Sequence, residues 1–296
     1  MKKIGVIGLG NIAQKAYLPV MASLQDEFEW HLTTRNLEKG EKLQNQFGFA
    51  HLHQTLDQLI SEKPLAVFVH TPTSTHAQII EQLLNSGINV YVDKPVSDDI
   101  ADVRRLYQLA KEKNLMLTCG FNRRFAPFNQ ELAQIPDKRS ITVEKTREDV
   151  DQSPKDAIFD LAIHSVDTAL FLLGDKTILN AESRIVTSDD LLDQYYLTVD
   201  TADCRATVIT NMHSGVNLEQ VTVQGLNERE VVTDLNKASV YHSGIVEEKY
   251  RPDWERTLVS RGFEPLIKKF LQAVSVDGIN PVDPESAILS HELCLK

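Results

Sequence analysis

From residue 4 to about residue 120, short aliphatic and β-branched runs alternate with longer stretches whose apolar positions recur every three to four residues. That is the rhythm of parallel strands joined by crossover helices. Ile4 to Ile7 opens the series as a strand, and a helix is expected from Asn11 to about Gln25, ended or kinked by Pro19 because proline lacks the amide donor. Phe28 to Thr33 reads as the second strand, Leu37 to Phe47 as its crossover helix, and Leu65 to Val69 as a strand buried on both faces. Ser74 or Thr75 can cap a helix running through Ile79, Ile80, Leu83 and Leu84, with Gly87 as its left-handed stop. Strand Ile88 to Val92, helix Ala101 to Lys113 and strand Leu115 to Cys119 complete a doubly wound α/β unit of the Rossmann type, residues 1–120.

Beyond Phe125 the pattern changes. Ser140 to Thr146, Arg205 to Asn211 and Asn217 to Gln224 alternate with period two and lack helical crossovers, which predicts a large, mostly antiparallel sheet. Helices are expected at about Asp156 to Leu173 and at Glu264 to Val274, so residues 121–296 read as an α+β substrate and oligomerisation domain. A sheet with one face bare usually meets a partner, and a homodimer or homotetramer through it is the expectation.

Composition narrows the function classes. Hydrophobic residues at 42% and charged residues at 25% are ordinary globular usage, and 296 residues suit two domains. A formal charge of -11 opposes a nucleic-acid partner, whose binding draws on clustered Lys and Arg. Cys119, Cys204 and Cys294 form no metal or disulfide spacing, and no run has the length or pattern of a membrane span or an apolar leader. A cytoplasmic protein with free thiols and no membrane partner is expected.

Candidate chemistry begins at Gly8-Leu9-Gly10-Asn11-Ile12-Ala13, a G-x-G-x-x-A turn that follows a strand and opens a helix. The first glycine permits the tight turn, the second admits a pyrophosphate to the backbone, and Ala13 allows close packing of helix on strand. Cofactor choice falls to the end of the second strand, where NAD binders carry an acid. Here the chain reads Thr34-Arg35-Asn36, and the planar, permanently charged fork of Arg35 suits a phosphate, which favours NADP over NAD. Glu29 is discounted because the pattern places it within the strand.

Three further segments fall at carboxyl ends of strands, where doubly wound sheets expose their ligand crevice: His70-Thr71-Pro72-Thr73-Ser74-Thr75-His76, Asp93-Lys94-Pro95 and Gly120-Phe121-Asn122-Arg123-Arg124-Phe125. In the second domain, Asp160 and His164 stand one helical turn apart within Asp160-Leu161-Ala162-Ile163-His164-Ser165-Val166-Asp167. Taken in order, these motifs resemble the Gfo/Idh/MocA oxidoreductases, and the resemblance covers essentially the whole chain. It implies a nicotinamide-dependent enzyme with Lys94 as catalytic lysine, a cis Pro95, and Asp160 and His164 as active-site partners. Cofactor contacts are expected at Gly8, Gly10, Asn11, Ile12, Thr34, Arg35, Asn36, Thr71, Pro72, His76, Asp93, Lys94 and Asn122.

Chemistry agrees with that assignment. Alcohol oxidation needs a base within reach of the hydroxyl while hydride leaves the carbon, and either His164 or Lys94 can relay the proton. The expected reaction transfers hydride between NADP(H) and a sugar, polyol, cyclitol or related carbonyl compound. A cofactor-binding sensor protein is the alternative, a role that would tolerate loss of Lys94 and His164. Ala157 and Ala162 replace glycines common in such relatives, and Asp93 replaces the commoner glutamate. The segment Ala287 to Leu295 resembles the terminal helix of relatives, so a short tail is expected to be missing. Trp254, Arg261 and Tyr241 are candidate cleft residues. His51 and His53 alternate on a possible strand but offer only two ligands, so they are taken as structural and no metal is expected.

Overall fold

A computed structural model describes residues 1–296, which form two compact units: Met1–Gly120 with Phe263–Ile288, and Phe121–Gly262 with Leu289–Lys296. The first unit carries six strands, β1 (Lys2–Ile7), β2 (Phe28–Thr33), β3 (His51–His53), β4 (Ala66–Val69), β5 (Asn89–Val92) and β6 (Leu117–Cys119). All pair in parallel in the order β3-β2-β1-β4-β5-β6. Strand order reverses between β1 and β4, which opens a crevice at their carboxyl ends, where Gly8 and His70 stand. Every residue of β4 is buried, as a strand covered on both faces requires.

The expected first helix is divided. Ala13–Tyr17 forms a π-helical turn in which the Leu18 amide reaches the Ala13 carbonyl, and Leu18–Ala22 continues as α-helix with Pro19 in its first turn. Pro19, which has no amide to donate, follows directly on that widened turn. The helix Leu56–Ser61, not anticipated from periodicity, is set by a capping box between Thr55 and Gln58. Thr75 precedes the helix His76–Asn85 without a side-chain cap, and its hydroxyl lies 2.8 Å from both Thr71 Oγ1 and the Pro72 carbonyl oxygen.

One boundary differs from the sequence expectation. The helix Phe263–Ser275, expected in the second domain, packs with the first unit. Phe270 meets the rings of Phe68 and Tyr91 edge-on, each at 5.3 Å, and Phe263 meets Tyr17 at 5.5 Å. Pattern alone marks an apolar stripe without saying which sheet it will cover.

In the second unit, eight strands run from β7 (Ser140–Thr146) through β8 (Asn180–Ser188), β9 (Leu191–Asp200), β10 (Arg205–Asn211), β11 (Leu218–Gln224), β12 (Arg229–Thr233) and β13 (Lys237–His242) to β14 (Ile245–Tyr250). Their order is β14-β13-β12-β11-β7-β10-β9-β8, antiparallel throughout except for the parallel pair β7 and β10. The helix Ile163–Leu173 packs against β7 and β10 and is buried along nearly its whole length. Inward positions such as Ala206, Val208 and Thr210 are buried, while Thr207 and Ile209 between them are half-buried. The three cysteines are free and buried, and no helix is long and apolar enough to cross a membrane.

Candidate cofactor and catalytic site

Gly8 adopts φ +91°, and a Cβ there would lie 2.5 Å from the Thr71 amide and 2.6 Å from the His70 carbonyl carbon. The loop after β4 therefore lies directly on the glycine turn, and any side chain at position 8 would displace it. At Gly10 an added Cβ would meet nothing within 4 Å, so this side of the turn faces open space where a ligand backbone can approach. Asn11 and Ile12 are exposed at the turn and Ala13 is fully buried beneath it. A strand, a left-handed glycine, an open second glycine and a buried alanine fit a dinucleotide pyrophosphate.

On the far side of β1, the end of β2 carries the candidate ribose-reading residues. Thr34 donates its amide to the His53 carbonyl, and its hydroxyl accepts from the Asn36 amide. Asn36 caps the helix Leu37–Phe47 by accepting from the Lys39 amide at 3.0 Å. Arg35 between them is exposed, and its guanidinium has no hydrogen bond or ion pair within the chain. Glu29 sits inside β2 and is occupied by His31, so no acid stands at the strand's end.

Side chains along the other flank are interlocked. Tyr17 donates to Asp93 Oδ1 at 2.7 Å, lies 3.3 Å from the Tyr91 hydroxyl, and packs its ring 3.9 Å from that of His70. Burial raises the Asp93 carboxyl above its ordinary range, against the opposing pull of Lys94 and of the Tyr17 hydroxyl. Burial likewise raises the Tyr17 phenol well above its usual value, with the Asp93 charge adding to it. His70 is buried among Tyr17, Phe68 and Tyr91 with no hydrogen-bond partner for either nitrogen, and desolvation pushes its pKa down to about 3.

His76 is almost fully buried, with Nδ1 2.8 Å from the Pro95 carbonyl oxygen and Nε2 2.8 Å from that of Thr71. It ties the loop after β4 to the segment after β5. The peptide between Lys94 and Pro95 is cis, and Lys94 itself is half-buried. Thr71 is half-buried and Pro72 exposed on the same loop.

The second unit holds the remaining candidates. Asp160 lies in a π-helical turn, Ile158–Ala162, closed by the Ile163 amide on the Ile158 carbonyl, and is exposed. His164 follows in the first turn of the α-helix and is 9% exposed. The π turn inserts an extra residue into the winding, so the simple one-turn spacing read from sequence is locally stretched; such turns recur at functional sites.

The segment Phe121–Phe125, expected to line a ligand crevice, is anchored by its own unit. Asn122 donates from Nδ2 to the Arg261 carbonyl at 2.7 Å, and its Oδ1 accepts from Arg123. Arg123 forms a paired contact with Glu219, and Arg124 with the buried Asp167, whose carboxylate also accepts from Ser290. Lys145 joins Glu219 at 3.1 Å. Against the cost of burial, Arg123 and Lys145 hold the Glu219 carboxyl well below its usual range, and burial together with Arg123 pushes Lys145 down to about 7. Nothing in the local pattern distinguished these buried charges from surface ones. Trp254 is 97% exposed, and Tyr241 lies against Arg229, so neither is enclosed.

Comparison with known proteins agrees with this architecture. Residues 2–121 match the family model described as an oxidoreductase family with an NAD-binding Rossmann fold. YceM of Salmonella typhimurium, named as an oxidoreductase, is 32% identical over 297 residues, covering 98% of this chain and 95% of that protein. A dehydrogenase structure from Clostridium difficile superposes with a TM-score of 0.94 at 29% identity, covering 99% of this chain and 97% of the other. A Gfo/Idh/MocA family oxidoreductase from Vibrio cholerae does so with a TM-score of 0.92 at 28% identity, covering 99% and 96%.

Proposed function

Because the chain belongs to the Gfo/Idh/MocA oxidoreductases and is a nicotinamide-dependent enzyme, we propose that it is an NADP-preferring dehydrogenase or reductase acting on a sugar, polyol or cyclitol. Arg35 carries the cofactor choice: an exposed guanidinium with no internal partner stands where an NAD enzyme presents a carboxylate. Two relatives support the substrate class. The inositol 2-dehydrogenase of Rhizobium meliloti is 32% identical over 163 residues, 49% of each chain. The UDP-N-acetylglucosamine 3-dehydrogenase of Acidithiobacillus ferrooxidans is 29% identical over 184 residues, 60% of this chain and 56% of its own.

The bound nicotinamide supplies the hydride acceptor or donor. Gly8, Gly10, Asn11 and Ile12 hold the pyrophosphate by backbone, and Thr34, Arg35 and Asn36 read the adenosine ribose. Thr71, Pro72 and Asp93 flank the cofactor, while His76 and Asn122 serve by positioning, since their polar atoms are committed internally. The Lys94 ammonium donates to the substrate oxygen and stabilises its developing negative charge. His164 moves the hydroxyl proton, and Asp160 orients the substrate. A panel of sugars, polyols, cyclitols and their ketones, followed by nicotinamide absorbance, tests the reading. NADP-linked turnover that disappears in Lys94→Ala with cofactor affinity retained is expected. Tight cofactor binding without turnover of any panel member would overturn it.

A further inference from the structure

A second constellation lies on the Rossmann sheet, at its β3 edge. Parallel pairing sets His31 of β2 opposite His51 of β3, and the two-residue period of a strand brings Glu29 and His53 to the same face. The His31 ring stacks on His51 at 4.3 Å and lies 5.2 Å from that of His53. Nε2 of His31 is 2.9 Å from Glu29 Oε1, and Nε2 of His51 is 3.3 Å from the same oxygen. On the other side of the ring, Nδ1 of His31 is 2.9 Å from Nε2 of His53. Sequence offered two histidines here. Folding adds a third and two carboxylates, Glu29 and Glu62.

Two overlapping triples result, Glu29 with His31 and His51, and His31 with His53 and Glu62, each with donor atoms within 4.8 Å of one another. A tetrahedral zinc ion with bonds of about 2.0–2.2 Å holds its donors roughly 3.3–3.5 Å apart, close to the spacings already present around Glu29. Lys3 distinguishes the triples. Its ammonium lies 2.7 Å from Glu62 and occupies that carboxylate, whereas Glu29 has only imidazole partners. Glu29 and His51 are 28% and 42% exposed against 1% for His31, so an ion would enter from solvent onto a fixed inner ligand, and the two rim side chains have room to turn onto it.

We propose that Glu29, His31 and His51 form a binding site for a divalent transition metal, zinc in the first instance, with a water completing the coordination. His53 then stands behind His31, bonded to the ring nitrogen the metal does not use, the arrangement that fixes a ligand's tautomer and orientation. The ion clips the three-residue edge strand β3 to β2, and neither the glycine turn nor the hydride chemistry is involved.

The test uses the full-length chain, stripped with chelator and titrated with Zn²⁺ against a chromophoric indicator, with thermal unfolding measured in parallel. One ion per chain is expected, with a rise in melting midpoint of about 5 °C at saturation. Glu29→Gln and His51→Ala, both at the rim and monitored for intact fold by circular dichroism, should abolish binding at Zn²⁺ concentrations that saturate the wild type. His53→Ala should weaken it about 10- to 100-fold, and Glu62→Gln should leave the stoichiometry at one. Wild type that binds no more Zn²⁺ than the Glu29→Gln, His51→Ala double variant would overturn the proposal. So would loss of binding in Glu62→Gln with retention in Glu29→Gln, since that places the ion on the other triple.

Discussion

The two flanks of the glycine turn are built on opposite plans. Toward β4 and β5, most polar groups are engaged within the protein: Tyr17 donates to Asp93 and His76 lies between the carbonyls of Thr71 and Pro95, while His70 is buried without a partner. Toward β2, Thr34 and Asn36 shape the backbone and Arg35 is exposed with no partner in the chain. A flank that must hold a reacting group in place uses its polar atoms internally. A flank that must recognise a ligand keeps one in reserve. Positioning and recognition can thus be told apart by asking whether a side chain's polar atoms are already engaged.

Breaking the chemistry itself should give the largest effect. Lys94→Ala and His164→Ala are expected to lower kcat/KM by about 10²-fold or more, with NADPH affinity nearly unchanged, since the proposed roles act on the substrate oxygen. A parallel loss of cofactor affinity in steady-state and binding measurements would move Lys94 to the recognition side.

The interlocked flank should next reveal itself through acid. His70 folds with a pKa of about 3 against an ordinary value of 6.5, so the unfolded chain binds the extra proton between those limits. Stability therefore falls as pH drops from 6.5 toward 3, with a contribution of about 3 kcal/mol at pH 4 from this residue. Urea unfolding across that range should show a flatter pH dependence in His70→Phe than in the wild type. Tyr17→Phe, which removes one donor from the half-buried Asp93 carboxyl, should cost about 1–2 kcal/mol at neutral pH by the same measurement. An unchanged midpoint would show that Asp93 is held by other groups.

The sequence made the β2 flank legible and left the other flank largely hidden, for a physical reason. Period, glycine placement and strand ends are local, so the order of strands and helices, the turn at Gly8 and the Arg35 position could be read directly. Tyr17 looked like any apolar helix residue, because the partners that define it, Asp93 and His70, are more than fifty residues away. The same limit hid the β3 edge, where His51 and His53 are silent until register sets His31 and Glu29 beside them. It also hid where the expected helix Phe263–Ser275 packs, since its stripe gave no sign that it covers Phe68 and Tyr91.

The division between a holding flank and a reading flank is tested most directly at Arg35, by titrating the wild type and Arg35→Asp with NADPH and NADH separately. The wild type should prefer NADPH by about tenfold or more, the scale of one charge-assisted contact, and Arg35→Asp should erase or reverse that ratio while melting at the same temperature. Tighter NADH binding by the wild type, or a ratio untouched by the substitution, would contradict it.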